Sequence, residues 1–177
     1  MMKKNTIIFD LDGTLALVDK RVEKSMIPKP NSPDGEGMDW DIFFDGHNVL
    51  TLDEPNYPVI SMAQMYYENG YNIVIFSGRN DRSYEETRQW LEEYEVPYNL
   101  LVMRPDKFKD KSWPIAAGNP ATPDMRFMPD EILKKKMLDT FVDIDDVFMT
   151  VDDRQKVVDM WRSLGLTCFQ VAPGDFK

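Results

Sequence analysis

The sequence predicts an α/β fold: a doubly wound parallel sheet of five strands with helices on both faces. Short apolar runs recur along the chain, amphipathic segments alternate with them, and glycine stands just past two of those segments. Apolar strands joined by helices are buried on both faces, which is the pattern of a parallel sheet.

Thr6-Ile7-Ile8-Phe9 reads as the first buried strand. Residues 22–57 then break the rhythm, with several of the twelve prolines, a Gly35–Gly37 turn region and the aromatics Trp40, Phe43 and Phe44. They are expected to form a small ordered insertion, or cap, over the end of the sheet. Helical period resumes over Val59–Asn69, with Gly70 where a helix C-terminus favours glycine. Asn72-Ile73-Val74-Ile75-Phe76 is the second strand, Arg82–Tyr94 the next helix and Leu100-Leu101-Val102-Met103 the third strand. A second proline-rich stretch, 105–129, reads as loop. Asp130–Phe141 is helical, and Val147-Phe148-Met149-Thr150-Val151 is the fourth strand. Gln155–Leu164 is the last helix, with Gly165 after it, and Thr167-Cys168-Phe169-Gln170-Val171 the fifth strand. Neither irregular stretch is long enough for a second full domain, so residues 1–177 are expected to fold as one.

Composition narrows the chemistry. Against 21 Lys and Arg stand 31 Asp and Glu, a net charge of −10, with one histidine (His47) and one cysteine (Cys168). A Cys/His zinc site and a disulfide framework both need more such residues. The loop of a cysteine phosphatase would need arginine six residues after Cys168, where Gly174 stands. An enzyme of this composition works with carboxylates. No apolar run approaches the roughly 18 residues of a membrane span, and Asp10 and Asp12 cut short the stretch after Met1-Met2-Lys3-Lys4. No membrane partner is therefore expected, and a single thiol fits a reducing, cytoplasmic setting. The acidity argues against avid nonspecific nucleic-acid binding but leaves room for a local basic groove. Oligomeric state has no signal in the sequence.

Ligands of open α/β sheets bind beyond the carboxyl ends of the strands. Three of those ends carry polar clusters: Asp10-Leu11-Asp12-Gly13-Thr14, Ser77-Gly78-Arg79 and Asp152-Asp153-Arg154. Ionised carboxylates converging on one point repel one another unless a cation lies between them. An oxygen-only ligand set favours Mg²⁺, which would also hold a phosphate. One aspartate could attack phosphorus, and a second, two residues on, could protonate the leaving oxygen and later activate water. Thr14 or Ser77 can donate a hydroxyl to a phosphoryl oxygen. A positive side chain should face the transferring group. Within Lys134-Lys135-Lys136, Lys134 precedes Met137 and Leu138 by three and four residues, so it shares the apolar stripe and can face inward. Lys135 is held in reserve.

These residues, in this order, resemble the haloacid dehalogenase (HAD) superfamily of phosphotransferases, whose core is Rossmann-like. The match runs through Asp10–Leu15, Ser77, Lys134 and the Asp152-Asp153 pair. The resemblance implies Asp10 as nucleophile and Asp12 as general acid/base. It implies Mg²⁺ held by Asp10, the backbone carbonyl of Asp12, and Asp152 and Asp153. Superfamily ATPases usually carry threonine in place of Asp12, so a phosphatase is implied. A receiver-like phosphate switch shares the aspartates, Mg²⁺ and lysine but lacks an acid/base two residues after the acceptor; Asp12 argues for catalysis. An inactive nucleic-acid-end binding module is the third reading.

The chain is more closely similar to the 3′-phosphatase domain of phage-type polynucleotide kinases. Ser77-Gly78-Arg79, the run Val151–Arg162 and its continuation through Gly165–Phe176 carry that likeness, over residues 5–21, 58–104 and 126–176. The resemblance implies substrate-binding roles for Thr14, Arg21, Ser77, Gly78, Arg79 and Asp130. As a helix N-cap, Asp130 has an equally good local explanation. Arg79 and Arg154 could instead pair with carboxylates. No glycine is followed by lysine, so the Gly-x-x-x-x-Gly-Lys-Ser/Thr loop is absent and kinase activity is not expected. The expected substrate is a polynucleotide 3′-phosphate, with free nucleotides or other small phosphate esters as the alternative. Trp40, Phe43 and Phe44 either pack the insertion or stack on a base. Trp161 and Cys168 are expected in the core, and His47 in a loop.

Overall fold

The computed structural model describes residues 4–106 and 125–174. Most of the proline-rich loop expected over 105–129 lies outside them. The chain opens with β1 (Thr6–Phe9) and a short β2 (Ala16–Leu17). Helix α1 (Asp19–Ser25), the ribbon β3 (Met26–Pro28) and β4 (Glu36–Met38), α2 (Trp40–Phe43), α3 (Gly46–Leu52) and β5 (Glu54–Pro55) follow. Next come α4 (Tyr57–Glu68), β6 (Asn72–Asn80), α5 (Tyr84–Glu93) and β7 (Leu100–Arg104). The last elements are α6 (Asp130–Phe141), β8 (Val147–Asp152), α7 (Gln155–Ser163) and β9 (Cys168–Gln170).

The five-stranded sheet has the order β7-β6-β1-β8-β9, and every pairing in it is parallel. Side chains of a strand alternate between faces, and the core divides accordingly. Ile7, Phe9, Ile73 and Ile75 pack with Ile60, Ala63, Trp90 and Leu91 of α4 and α5 on one face. Ile8, Val74 and Phe76 pack with Leu133, Met137, Val157 and Trp161 of α6 and α7 on the other. Trp161 and Cys168 are core residues, as expected.

Two boundaries differ from the sequence reading. β6 continues past Phe76 to Asn80, with its register against β7 broken between Ser77 and Asn80. Ser77-Gly78-Arg79 therefore sits in an irregular strand end, not in a loop, and such an irregularity re-aims side chains at a sheet's rim. The insertion begins earlier than residue 22, because Asp19 already starts α1. It closes where β5 pairs antiparallel with β2, Ala16 opposite Pro55. Within it, Asp39 caps α2 by accepting from the Asp41 and Ile42 amides, and Asp45 caps α3 through the Asn48 amide. Met38, Phe43 and Val49 are its buried apolar residues. His47 lies exposed on α3, not in a loop.

Candidate active site

The carboxyl ends of β1 and β8 lie side by side because these strands are neighbours, and the Asp10 amide donates to the Val151 carbonyl at 2.9 Å. This brings Asp10, Asp152 and Asp153 together, one carboxylate oxygen of each lying within 4.8 Å of the others. Gly13 turns the chain over this cluster at φ +84°, the left-handed region that favours glycine. A Cβ there would overlap the Asp153 carboxylate.

Lys134 reaches in from α6, only 2% exposed, and donates to Asp10 Oδ1 at 2.7 Å and Asp152 Oδ2 at 2.8 Å. Lys135 points outward to Asp139 instead. Thr14 Oγ1 donates to Asp10 Oδ2 at 3.1 Å and to Asp153 Oδ1 at 3.3 Å. Both Asp10 oxygens are thus oriented before any substrate arrives.

Burial, followed for Asp10 by the Asp153 charge and for Asp152 by the Asp10 charge, raises the pKa of both carboxyls against the pull of Lys134. Asp152 is pushed up to about 6. Burial would lower the Lys134 ammonium, but Asp10 and Asp152 outweigh it and the net shift is upward. Three buried carboxylates with one lysine retain a deficit of positive charge, and their oxygen-only donors suit a hard divalent cation. The residues present therefore fit Mg²⁺, with Asp10, Asp152 and Asp153 as its carboxylate ligands.

Asp12 is not part of this triad. Its Oδ1 accepts from Arg21 Nη2 at 2.7 Å and from Arg79 Nη2. Burial pushes its pKa up, yet the two guanidinium charges outweigh that and hold it down at about 2. Both arginines also bind Asp53, which stands between α3 and β5: Arg21 Nε at 2.8 Å, Arg21 Nη2 at 3.1 Å and Arg79 Nη2 at 2.9 Å. Arg21 is fully buried, and its Nη1 donates to the Phe43 carbonyl at 2.9 Å. It meets the site through Asp12. Arg79 is locked further by Thr87 Oγ1 at 2.9 Å. Its Nε is the one buried side-chain polar atom among the described residues without a hydrogen-bond partner. Ser77 Oγ accepts from the Arg79 amide at 3.0 Å, fixing the turn that aims Arg79.

Asp130 does not cap its helix. It is the first residue of α6, after Pro129, and its oxygens instead accept from Arg104 Nη2 at 2.5 Å and from Arg154. Gly78 makes room for it, since a Cβ there would stand 2.6 Å from Asp130 Oδ1. The Gly78 carbonyl accepts from Arg104 Nε at 2.8 Å. Sequence reasoning passed over Asp53 and Arg104. Arg104 had a signal, because it ends the third sheet strand and the strand-end rule reaches it; Asp53 lies in the aperiodic insertion and had none.

A cleft of about 630 Å³ opens onto Asp10 and Asp12, walled by Trp40, Phe43 and Phe44 of the insertion and by Arg79, Asp130 and Arg154. The family model described as the polynucleotide kinase PNKP phosphatase domain, of HAD type, matches residues 41–176. The chain belongs to this family of HAD phosphatases. The matched span takes in 41–57, outside the stretches that carry the sequence likeness, and omits the Asp10–Leu15 motif. A protein of Autographa californica nuclear polyhedrosis virus, named as a candidate bifunctional polynucleotide kinase/RNA ligase, is 28% identical over 170 residues. That alignment spans 93% of this chain and 19% of the viral one. A chain of the Pnkp1/Rnl/Hen1 complex is 30% identical, with a TM-score of 0.67 over 98% of this chain and 48% of that one. A second structure, of the Pnkp1/Rnl/Hen1 RNA repair complex, gives 30% identity and a TM-score of 0.65 over 97% and 44%. A HAD-like hydrolase from Streptococcus pneumoniae shares the fold at 12% identity, with a TM-score of 0.58 over 94% of this chain and 83% of that one. The chain thus spans less than half the length of the relatives named here from the viral protein and the Pnkp1/Rnl/Hen1 complexes. No helix among its described residues is long and apolar enough to cross a membrane.

Proposed function

We propose that this phosphatase removes the 3′-phosphate from a polynucleotide end, depends on Mg²⁺, and works through an aspartyl phosphate on Asp10. One observation carries the mechanism. Asp10 is clamped by Lys134 and Thr14 beside two further carboxylates, while Asp12, two residues on, is held apart by arginines.

In this reading the bond from Asp10 to phosphorus forms as the bond from phosphorus to the leaving oxygen breaks. Bound Mg²⁺ would neutralise the three carboxylates and draw off phosphoryl charge. Lys134 supplies a fixed positive charge at Asp10, and Thr14 keeps the carboxylate in one orientation. Arg79 holds an unspent Nε donor, an unsatisfied buried group of the kind retained at functional sites. A phosphoryl group near Arg79 competes for its charge and loosens its hold on Asp12. The Asp12 pKa then rises, so Asp12 takes up a proton from solvent and delivers it to the leaving oxygen. With the phosphoryl group still beside Arg79, ionised Asp12 keeps its raised pKa and takes a proton from water as the water oxygen bonds to phosphorus and the bond from phosphorus to Asp10 breaks, releasing inorganic phosphate.

The matched family and the relatives' names support a polynucleotide end as substrate. The net charge of −10 favours the second reading, a free nucleotide or other small phosphate ester. Phosphate release from 3′-phosphorylated oligonucleotides, 5′-phosphorylated oligonucleotides and mononucleotides, with Mg²⁺ and at matched concentration, separates the two. The 3′-ends are expected to lead by more than about tenfold in kcat/KM, or ~1.4 kcal/mol. A smaller lead returns the assignment to small esters.

A further inference from the structure

The aromatic residues of the insertion divide into two groups. Phe43 is buried, with the Arg21 guanidinium 4.2 Å above its ring centroid, and it packs the insertion. Trp40 is 50% exposed and lies nearly parallel to Phe44, ring centroids 5.7 Å apart and planes 21° from each other. Phe43 meets Trp40 edge-on at 5.6 Å and Phe44 at 5.2 Å, bracing the pair from behind. Trp40 and Phe44 both line the cleft that holds Asp10 and Asp12.

This wall is fixed relative to the reacting carboxylates. One arginine, Arg21, donates to the Phe43 carbonyl and to Asp12, so the aromatic helix α2 and the acid/base carboxylate hang from the same guanidinium. Asp39 caps the start of that helix. Arg82, beside the wall, is tied to Asp41 of α2 at 2.9 Å. The rest of the lining matters too. Arg79, Arg82, Arg104, Arg126, Arg154 and Lys156 line the cleft, against Asp10, Asp12, Asp41, Asp106, Asp130 and Glu131. The lining is therefore balanced in charge in a chain of net charge −10; Asp152, Asp153 and Lys134 beneath it leave one negative charge, which a divalent cation at the triad would turn into one positive.

A half-exposed tryptophan stacked on a second ring, in a cleft of balanced lining beside a phosphate-handling centre, suits a flat π-system attached to a phosphate. We propose that Trp40, backed by Phe44, is the platform on which the base of the 3′-terminal nucleotide stacks while its phosphate meets Asp10. The inference rests on the polynucleotide reading above and adds to it the means of recognition. Stacking is tolerant of sequence, because every base has a π-face. The terminal base is therefore sensed as present or absent, not read for identity.

The test uses two ligands: an oligothymidylate ending in a 3′-phosphate, and the same oligomer whose terminal sugar carries no base. With turnover stopped by Asp10→Asn, the base-bearing oligomer is expected to bind at least about fivefold more tightly, the lower bound for one aromatic–base stack. Adding Trp40→Ala should erase that ratio, and Trp40→Phe should restore most of it. Equal binding of the two oligomers, absence of measurable binding, or a ratio unmoved by Trp40→Ala overturns the platform. Hydrolysis of glycerol 2-phosphate by the unaltered protein is followed in parallel. If no ester releases phosphate, the phosphatase mechanism fails, while the binding ratio still decides the platform.

Discussion

Asp12 and Asp53 share the same two guanidinium nitrogens: Nη2 of Arg21 and Nη2 of Arg79 each donate to both carboxylates. Asp12 faces the cleft and Asp53 lies behind the arginines, 4% exposed. The insertion thus reaches the centre of the site through a residue that does not line the cleft, and Asp53 is a positioning residue for Asp12.

Replacing Asp53 with asparagine keeps its volume and removes its charge. Both guanidinium charges then fall on Asp12 alone, so its pKa drops further and proton delivery weakens. The alkaline limb of the kcat/KM profile is expected to move to lower pH, with kcat falling about tenfold and KM little changed. Breaking a buried charge network costs about 3 kcal/mol, or roughly 6–12 °C in Tm for a chain of this size. A lower Tm with an unmoved pH limb would reduce Asp53 to a structural role.

Asp10→Asn tests the nucleophile. An amide cannot form the acyl phosphate, so turnover should fall at least about a thousandfold. The metal-free protein should nonetheless keep its Tm or gain a few degrees. Asp10 carries a pKa raised by burial and by Asp153, so its ionised form is unfavourable in the fold. Its removal leaves Lys134 paired with Asp152. Residual activity above a few per cent, in protein shown free of deamidation, would remove Asp10 from the role.

The legible part of the site came from periodicity. Asp10, Asp12, Asp152 and Asp153 stand where apolar strands stop, and the topology of a parallel sheet puts such ends together. Helical spacing puts Lys134 on the apolar stripe with Met137 and Leu138 but leaves Lys135, three residues before Leu138, in reserve; only the structure turns Lys135 out to Asp139. What escaped depends on tertiary pairing. Local chemistry makes Asp130 a capping residue, but ion pairs with Arg104 and Arg154 claim its oxygens. Polar Ser77–Asn80 looks like loop, yet β7 keeps it in the sheet through a register irregularity. Asp53 belongs to a segment with neither helical nor strand period, and its two partners lie 32 and 26 residues away.

The proposed metal site would link Mg²⁺ binding to pH through Asp152. In the metal-free chain its pKa stands at about 6, above the ordinary carboxylate value, because burial and Asp10 disfavour its charge. A raised carboxyl contributes stability that is fully present below about pH 4 and lost as pH climbs through 6. Mg²⁺ held by Asp152 would require the ionised form, so its binding should release protons and strengthen over the same window. At pH 7.5, Mg²⁺ at about 100 times its Kd adds ~2.7 kcal/mol, or roughly 5–10 °C in Tm. At pH 5 the gain should shrink to a few degrees or less, and chelator should abolish it at both. Thermal melts with and without EDTA measure this directly, and an equal rise at the two pH values would dissociate Asp152 from the metal.

Lys134 and Lys135 are adjacent in sequence and opposite in surroundings, which makes them a matched pair. Lys134 is buried between Asp10 and Asp152, whereas Lys135 makes an exposed pair with Asp139 one turn on. Lys135→Met should cost no more than about 0.5 kcal/mol and leave kcat unchanged. Lys134→Met preserves the length of the side chain and removes the charge facing Asp10. It strands two buried carboxylates, for about 3–5 kcal/mol in the metal-free protein. Mg²⁺ bound at the proposed site would lie against the same carboxylates and should recover part of that stability, because it would supply positive charge to Asp10 and Asp152. It should not recover turnover. One fixed charge at the developing phosphoryl negative charge contributes about a hundred- to thousandfold, and Mg²⁺ bound equally by both proteins would not replace it. If Lys134→Met turned over within tenfold of the unaltered protein at saturating Mg²⁺, the lysine would serve the fold alone.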